Sequence, residues 1–215
     1  MISKHKQVNI KSILLGTIIV VIIGGLGIAL NTSKSQTEIT TAIAKEFGKN
    51  FYTVDAQKIA DYKKMLIAGE SSDVMDSIGE GGIVKKANKK AQDNYIKIMQ
   101  SLGKDIQPLM TTKGYESIVA NRLNTLGAEV CSTGNYTSEV TNITLDKNLY
   151  GVNEDKSGYH YEVKLKFVST NGKNERTDTA KGYIGLLKEN GQWKVWAYES
   201  ETYPNLYKEI LVNKL

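Results

Sequence analysis

The sequence predicts an α+β domain placed behind one apolar span. Three observations carry that reading: the uncharged stretch ILLGTIIVVIIGGLGIAL at residues 13–30, apolar residues at helical spacing between Gln36 and Leu126, and period-two alternation from Ala128 onward. Helices followed by an antiparallel meander is the order of an α+β fold.

The span comes first. Eighteen residues at about 1.5 Å each reach roughly 27 Å, close to the thickness of a hydrocarbon core. Its apolar side chains surround the whole helix, which suits lipid. Lys4, Lys6 and Lys11 precede it without any acid, so residues 1–12 are expected in the cytoplasm and everything after Leu30 outside. A cleavable signal has an apolar core of only about 7–15 residues. A retained single-pass anchor in a cell membrane is therefore the expectation, and a cut after Ala29 is the alternative. Gly25 and Ala29 are spaced for close helix contact. Residues 31–35 read as a linker and 36–215 as one extracytoplasmic domain.

Charge needs dividing before it carries meaning. Residues 1–34 hold +4 of the net +5, leaving +1 for the outer part. A polyanion-binding domain shows a concentrated basic excess, so no nucleic-acid partner is expected. Cys131 is the single cysteine. No intramolecular disulfide can form, and the domain must rely on its hydrophobic core. Neither metal nor cofactor ligation has a residue cluster to rest on. The Lys-, Ile- and Asn-rich composition looks bacterial, so the sequons at Asn31, Asn135 and Asn142 are read as chance.

Within the domain, Ile39, Ile43, Phe47 and Phe51 recur every fourth residue from Gln36 to Tyr52, one face of a helix. Asp55 can cap a second helix running to about Ile67, with Ile59, Tyr62 and Leu66 inside and Gly69 at its end. GESSDVMDSIGEGG, 69–82, reads as a loop; without a following Gly-Lys-Ser/Thr it is no phosphate loop. Helical spacing returns from Ile83 to Leu102, with Tyr95, Ile98 and Leu102 inside and a solvated run of Lys85, Lys86, Lys89 and Lys90. A further helical segment, 105–126, is expected to break near Gly114.

Strands follow at about 128–146, 158–170, 174–188 and 192–200, the first long enough to bend at Gly134. Asn171-Gly172 and Asn190-Gly191 supply hairpin turns between the last three. Pro204 and an amphipathic tail with Leu206, Ile210 and Leu211 close the chain.

AKEFGKNFYTVDAQKIADYKKML, then PLMTTKGYESIVANR, then a meander ending in GQWKVWAYES, resembles the nuclear transport factor 2-like (cystatin-like) fold. That resemblance implies a curved four-stranded antiparallel sheet wrapped around helices as a cone. The layout of short inside tail, one span and outside domain resembles the assembly scaffold of type IV secretion and conjugative transfer systems.

Some members of that superfamily are isomerases or cyclases with an acid or base inside the cone. Here His5 lies in the tail, and alternation puts His160 on the outer face with Glu162, Lys164 and Lys166, opposite Tyr159, Tyr161, Val163, Leu165 and Phe167. Asp55, Tyr159 and Tyr161 are the candidate pocket residues, against the plainer reading of a helix cap and two core tyrosines. No catalytic residue is assigned, and the chain is not expected to be an enzyme. If Trp193, Val195 and Ala197 face inward, then Lys194, Trp196 and Tyr198 face outward beside Lys164, Lys166, Lys181 and Tyr183. Aromatics among lysines suit a protein contact. Cover by the C-terminal tail or the stalk is the alternative. The leading expectation is a membrane-anchored module that binds other envelope proteins, with homo-oligomerisation left open. A tethered cone for a small ligand, or a weak enzyme, is the second.

Overall fold

The computed structural model describes residues 35–70, 89–147 and 153–212. The expected span at 13–30 and most of the 69–82 loop lie outside them. Among the described residues no helix is long and apolar enough to cross a membrane.

The chain divides into two compact units, Met1–Ile39 and Thr40–Leu215. In the first, the Ser35 N–H donates to Glu38 Oε2 at 2.7 Å and the Glu38 N–H to Ser35 Oγ at 3.2 Å. This reciprocal pair satisfies two otherwise orphaned donors at the start of helix α1 (Gln36–Tyr52).

In the second unit α1 continues, followed by α2 (Ala56–Gly69), α3 (Lys89–Ser101), a 3-10 turn (Gln107–Leu109), α4 (Thr112–Ala120) and α5 (Leu123–Gly134). Strands β1 (Tyr136–Lys147), β2 (Lys156–Ser169), β3 (Glu175–Glu189) and β4 (Gln192–Thr202) form an antiparallel sheet in the order β1-β2-β3-β4. Helix α6 (Asn205–Val212) ends the described chain. The α+β class and the four-stranded meander stand as the sequence implied.

The helices differ from expectation in instructive ways. The buried face of α1 is Thr40, Ala44, Phe47, Gly48 and Tyr52, with Ile43 and Phe51 only half-buried. Small residues line it because the sheet comes close: a Cβ on Gly48 would lie 3.2 Å from the Ile143 side chain. Asp55 caps α2 as expected, accepting from the Lys58 N–H at 2.8 Å. Leu66 is 42% exposed whereas Met65 is buried, so the inner stripe of α2 turns with the 3.6-residue period.

Gly114 does not break a helix. It lies in the first turn of α4, where Thr111 Oγ1 accepts from its N–H at 3.0 Å. A Cβ there would meet the Trp196 and Val195 carbonyl oxygens at 3.0 and 3.1 Å, so glycine lets α4 approach β4. The break falls instead at Asn121 and Arg122, the latter with φ 56°. Residues 128–134, expected as strand, are the last turns of α5. Thr125, Ala128 and Cys131 are buried at helical spacing, and their neighbours mimic alternation. Asn135, with φ 58° and ψ 47°, stops that helix in the left-handed conformation that asparagine tolerates.

The inner side of the sheet carries Tyr159, Tyr161, Val163, Leu165 and Phe167 from β2, Ile184 and Leu186 from β3 and Val195 from β4, all buried. Each full burial of a Val, Leu, Ile or Phe side chain stabilises by roughly 1.5–3 kcal/mol. The β3–β4 turn has positive φ at both Asn190 (53°) and Gly191 (78°), as a two-residue hairpin with right-handed strand twist requires. Helix α6 is seated by Asp178, which accepts from the Leu206 N–H at 3.0 Å, and by Arg176, bidentate to Glu209 at 2.8 and 3.0 Å.

Candidate functional site

Two bulges decide which β4 side chains reach the outer face. On β3, Gly185 pairs with Ala197 and Leu186 with Val195, which leaves Trp196 as the extra residue. Lower down, Lys181 pairs with Thr202 and Gly182 with Ser200, leaving Glu201 extra. Each extra residue reverses the side-chain parity of the strand beyond it.

Trp196 therefore points outward, 44% exposed, while Tyr198 turns in. This corrects the outward placement expected for Tyr198. Its ring lies 4.4 Å from that of Phe51 and 5.6 Å from that of Phe47. Its hydroxyl bonds Tyr52 Oη at 2.8 Å and accepts from Tyr161 Oη at 3.2 Å, and Tyr52 and Tyr161 bond each other at 2.9 Å. Ala197, expected inside, sits instead against Gly185 on the outer side, since a Cβ on that glycine would approach it to 3.2 Å.

Two glycines paired across strands, Gly158 and Gly185, lie on the outer face and are covered. The Tyr183 ring lies across Gly158, so that any Cβ there would run into the phenol. A Cβ on Gly185 would stand 2.8 Å from Trp196 Nε1. The indole and the phenol thus rest side by side on bare backbone. Glu199 pairs with Tyr183, His160 meets the same ring edge-on at 5.8 Å, and His160 Nδ1 lies 3.4 Å from Glu201. Burial, followed by the Glu199 charge, pushes the Tyr183 phenol above its ordinary value. The Lys181 bond at 2.8 Å holds the Glu162 carboxyl below its usual range, and Lys181 is raised in return.

The seven expected surface residues do not form one cluster. Trp196 and Tyr183 lie side by side over Gly185 and Gly158, and Lys181 follows two positions along β3 from Tyr183, paired with Glu162. Lys194 bonds the Pro108 carbonyl at 3.2 Å, and Lys166 pairs with Glu175 at 2.8 Å. Lys164 stands opposite Thr179, six positions along β3 from Gly185, which is roughly 20 Å. Alternation could not reveal Gly158, Gly185 or the bulges, although a glycine inside a strand does signal close approach.

The residues of the alternative pocket do not converge. Asp55 is an exposed helix cap. Tyr159 is buried against Thr40 at 2.6 Å, and Tyr161 belongs to the phenol cluster. The void lined by Phe51, Val54, Leu102 and Ile106 measures about 10 Å³, room for one water at most. Burial raises the Cys131 thiol to about 11, so it is packed as an inert apolar group.

No family model matches the chain, and no curated protein matches it. Among solved structures, a calcium/calmodulin dependent protein kinase II association domain from Xanthomonas campestris is similar at 11% identity and a TM-score of 0.32, over 54% of this chain and 86% of that domain. A likeness that loose carries no argument about the present chain.

Proposed function

We propose that the chain is a single-span envelope protein whose outer domain, of the nuclear transport factor 2-like type, binds other proteins through the outer face of its sheet. It is a non-enzymatic assembly module, and its most concrete version is a subunit of a conjugative or type IV secretion machine. The observation that supports this reading is Trp196, a large aromatic held on the open sheet face over Gly185. A tryptophan fixed in place loses little entropy on contact and is a typical energetic anchor of interfaces. The interior supports the same choice: a ligand cone needs a cavity of about 300 Å³ or more, and here phenol rings occupy that side.

The test is Trp196→Ala in the full-length chain, recovered from solubilised membranes beside the wild type. A hot-spot truncation of about 2 kcal/mol or more corresponds to roughly 30-fold weaker retention of co-purifying partners, with the melting temperature unchanged. Retention at the wild-type level, or saturable binding of a small apolar ligand that raises the melting temperature, would favour the tethered ligand cone instead.

A further inference from the structure

On the outer face the paired strands set their side chains in rows, and charge is spread unevenly among the rows. Asp146, His160, Tyr183 and Glu199 form one row across β1 to β4. The next holds Thr144, Glu162, Lys181 and Thr202, with Glu201 as the extra residue beside them. These two rows carry four carboxylates against one lysine and one histidine, in a domain whose total charge is nearly balanced. Lys181 bonds Glu162 at 2.8 Å, and Glu201 lies 3.4 Å from His160 Nδ1. Glu199 is exposed and has no ion-pair partner among the described residues.

On the other side of Tyr183 lies the row of Gly158, Gly185 and Ala197, with Trp196 as its extra residue. The bare glycines make a floor on which the indole and the phenol rest. Successive rows are about 7 Å apart, so a long side chain laid on the indole reaches Glu199. A π face and a carboxylate then act on the same positive charge. The two rings lie side by side and close no cavity, so they offer a flat shelf instead of the cage that suits a quaternary ammonium. A guanidinium is planar. It stacks on an indole and turns its N–H edge to a carboxylate at the same time, which an ammonium does not.

We infer that this shelf takes an arginine of a partner protein, stacked on Trp196 with its N–H edge toward Glu199. The inference rests on the protein-binding role proposed for this face and adds the chemistry of the partner, a basic segment. The aromatic shelf supplies the contact and the charge names its occupant. An acidic segment would meet the carboxylates of Asp146, Glu162, Glu199 and Glu201 as like charge, which costs affinity.

The test titrates the full-length chain in detergent with a blocked glycine–serine peptide bearing one arginine. A citrulline peptide of the same shape but no charge, and a lysine peptide, run beside it. The chain has two tryptophans, so isotope-labelled tryptophan gives two indole signals, and Trp196→Phe shows which belongs to Trp196. The arginine peptide should shift the Trp196 signal saturably and leave that of Trp193 in place. The citrulline peptide should bind roughly tenfold more weakly, the loss of one cation–π contact with its charge-assisted bond, and the lysine peptide should fall between them. Glu199→Gln should weaken the arginine peptide by a similar factor, leaving the citrulline peptide and the melting temperature unchanged. No shift at Trp196, equal binding of the arginine and citrulline peptides, lysine binding as tightly as arginine, or indifference to Glu199→Gln would each overturn the arginine assignment. The protein contact itself is read separately, from partner retention. Retention lost with Trp196→Ala alongside charge-indifferent peptides sinks the arginine alone, whereas retention kept with Trp196→Ala sinks the contact and the arginine together.

Discussion

Removing a single hydroxyl, by Tyr198→Phe, tests the bulge that defines the outer face. In the structure that oxygen bonds Tyr52 at 2.8 Å and Tyr161 at 3.2 Å. Each buried bond contributes about 1 kcal/mol net. Tyr52 and Tyr161 keep their mutual bond at 2.9 Å, which offsets part of the loss, so the expected destabilisation is about 1–2 kcal/mol. For a domain of this size that lowers the melting temperature by roughly 2–8 °C. Trp196→Ala, two positions away on the exposed side, should stay within about 0.5 kcal/mol. The assay is a pair of urea and thermal melts on the outer domain. Tyr161→Phe and the double variant complete a cycle, in which the shared bond makes the two losses less than additive. If Tyr198→Phe matches the wild type, Tyr198 shares the exposed face with Trp196 and strict alternation holds along β4. The bulge, and the face built upon it, would then be wrong.

The same contacts set further outcomes. Burial, then mutual proximity, holds the Tyr52 and Tyr198 phenols well above their ordinary value, and burial raises Tyr62 to about 12. The folded state therefore keeps protons that the unfolded chain releases near pH 10; the stabilisation is complete below that pH and is lost as pH rises above it, a fall that alkaline melts should show. Asp178→Ala removes the acceptor for the Leu206 N–H and should cost about 1–2 kcal/mol, with faster amide exchange in α6. Residues 36–215, made alone, should show mixed helix and sheet by circular dichroism, with a melt indifferent to reducing agent because Cys131 is the single cysteine. In intact cells, external protease should remove the outer domain while an N-terminal tag stays protected; a mature chain beginning near Leu30 would mean the span is a cleaved signal.

The sequence by itself determined the features that depend on local periodicity and composition. Ile59 and Tyr62 at helical spacing, Asp55 as a cap, Asn190-Gly191 as a tight turn, and the alternation from Tyr159 to Phe167 each report a preference satisfied within a few residues. The charge asymmetry around residues 13–30 is equally local. Tertiary structure decided the features that depend on a neighbour. Residues 128–134 alternate in sequence yet coil, because Ala128 and Cys131 pack inward on one helical stripe and Asn135 ends the turn. Gly114 is needed for its approach to β4, which no spacing in the sequence reveals. The sharpest case is Tyr198. Period-two counting puts it beside Trp196, but one unpaired residue opposite Gly185 reverses the parity and sends its hydroxyl into the phenol cluster. A bulge is a property of two strands paired together, so the outer face becomes visible only once β3 and β4 are side by side.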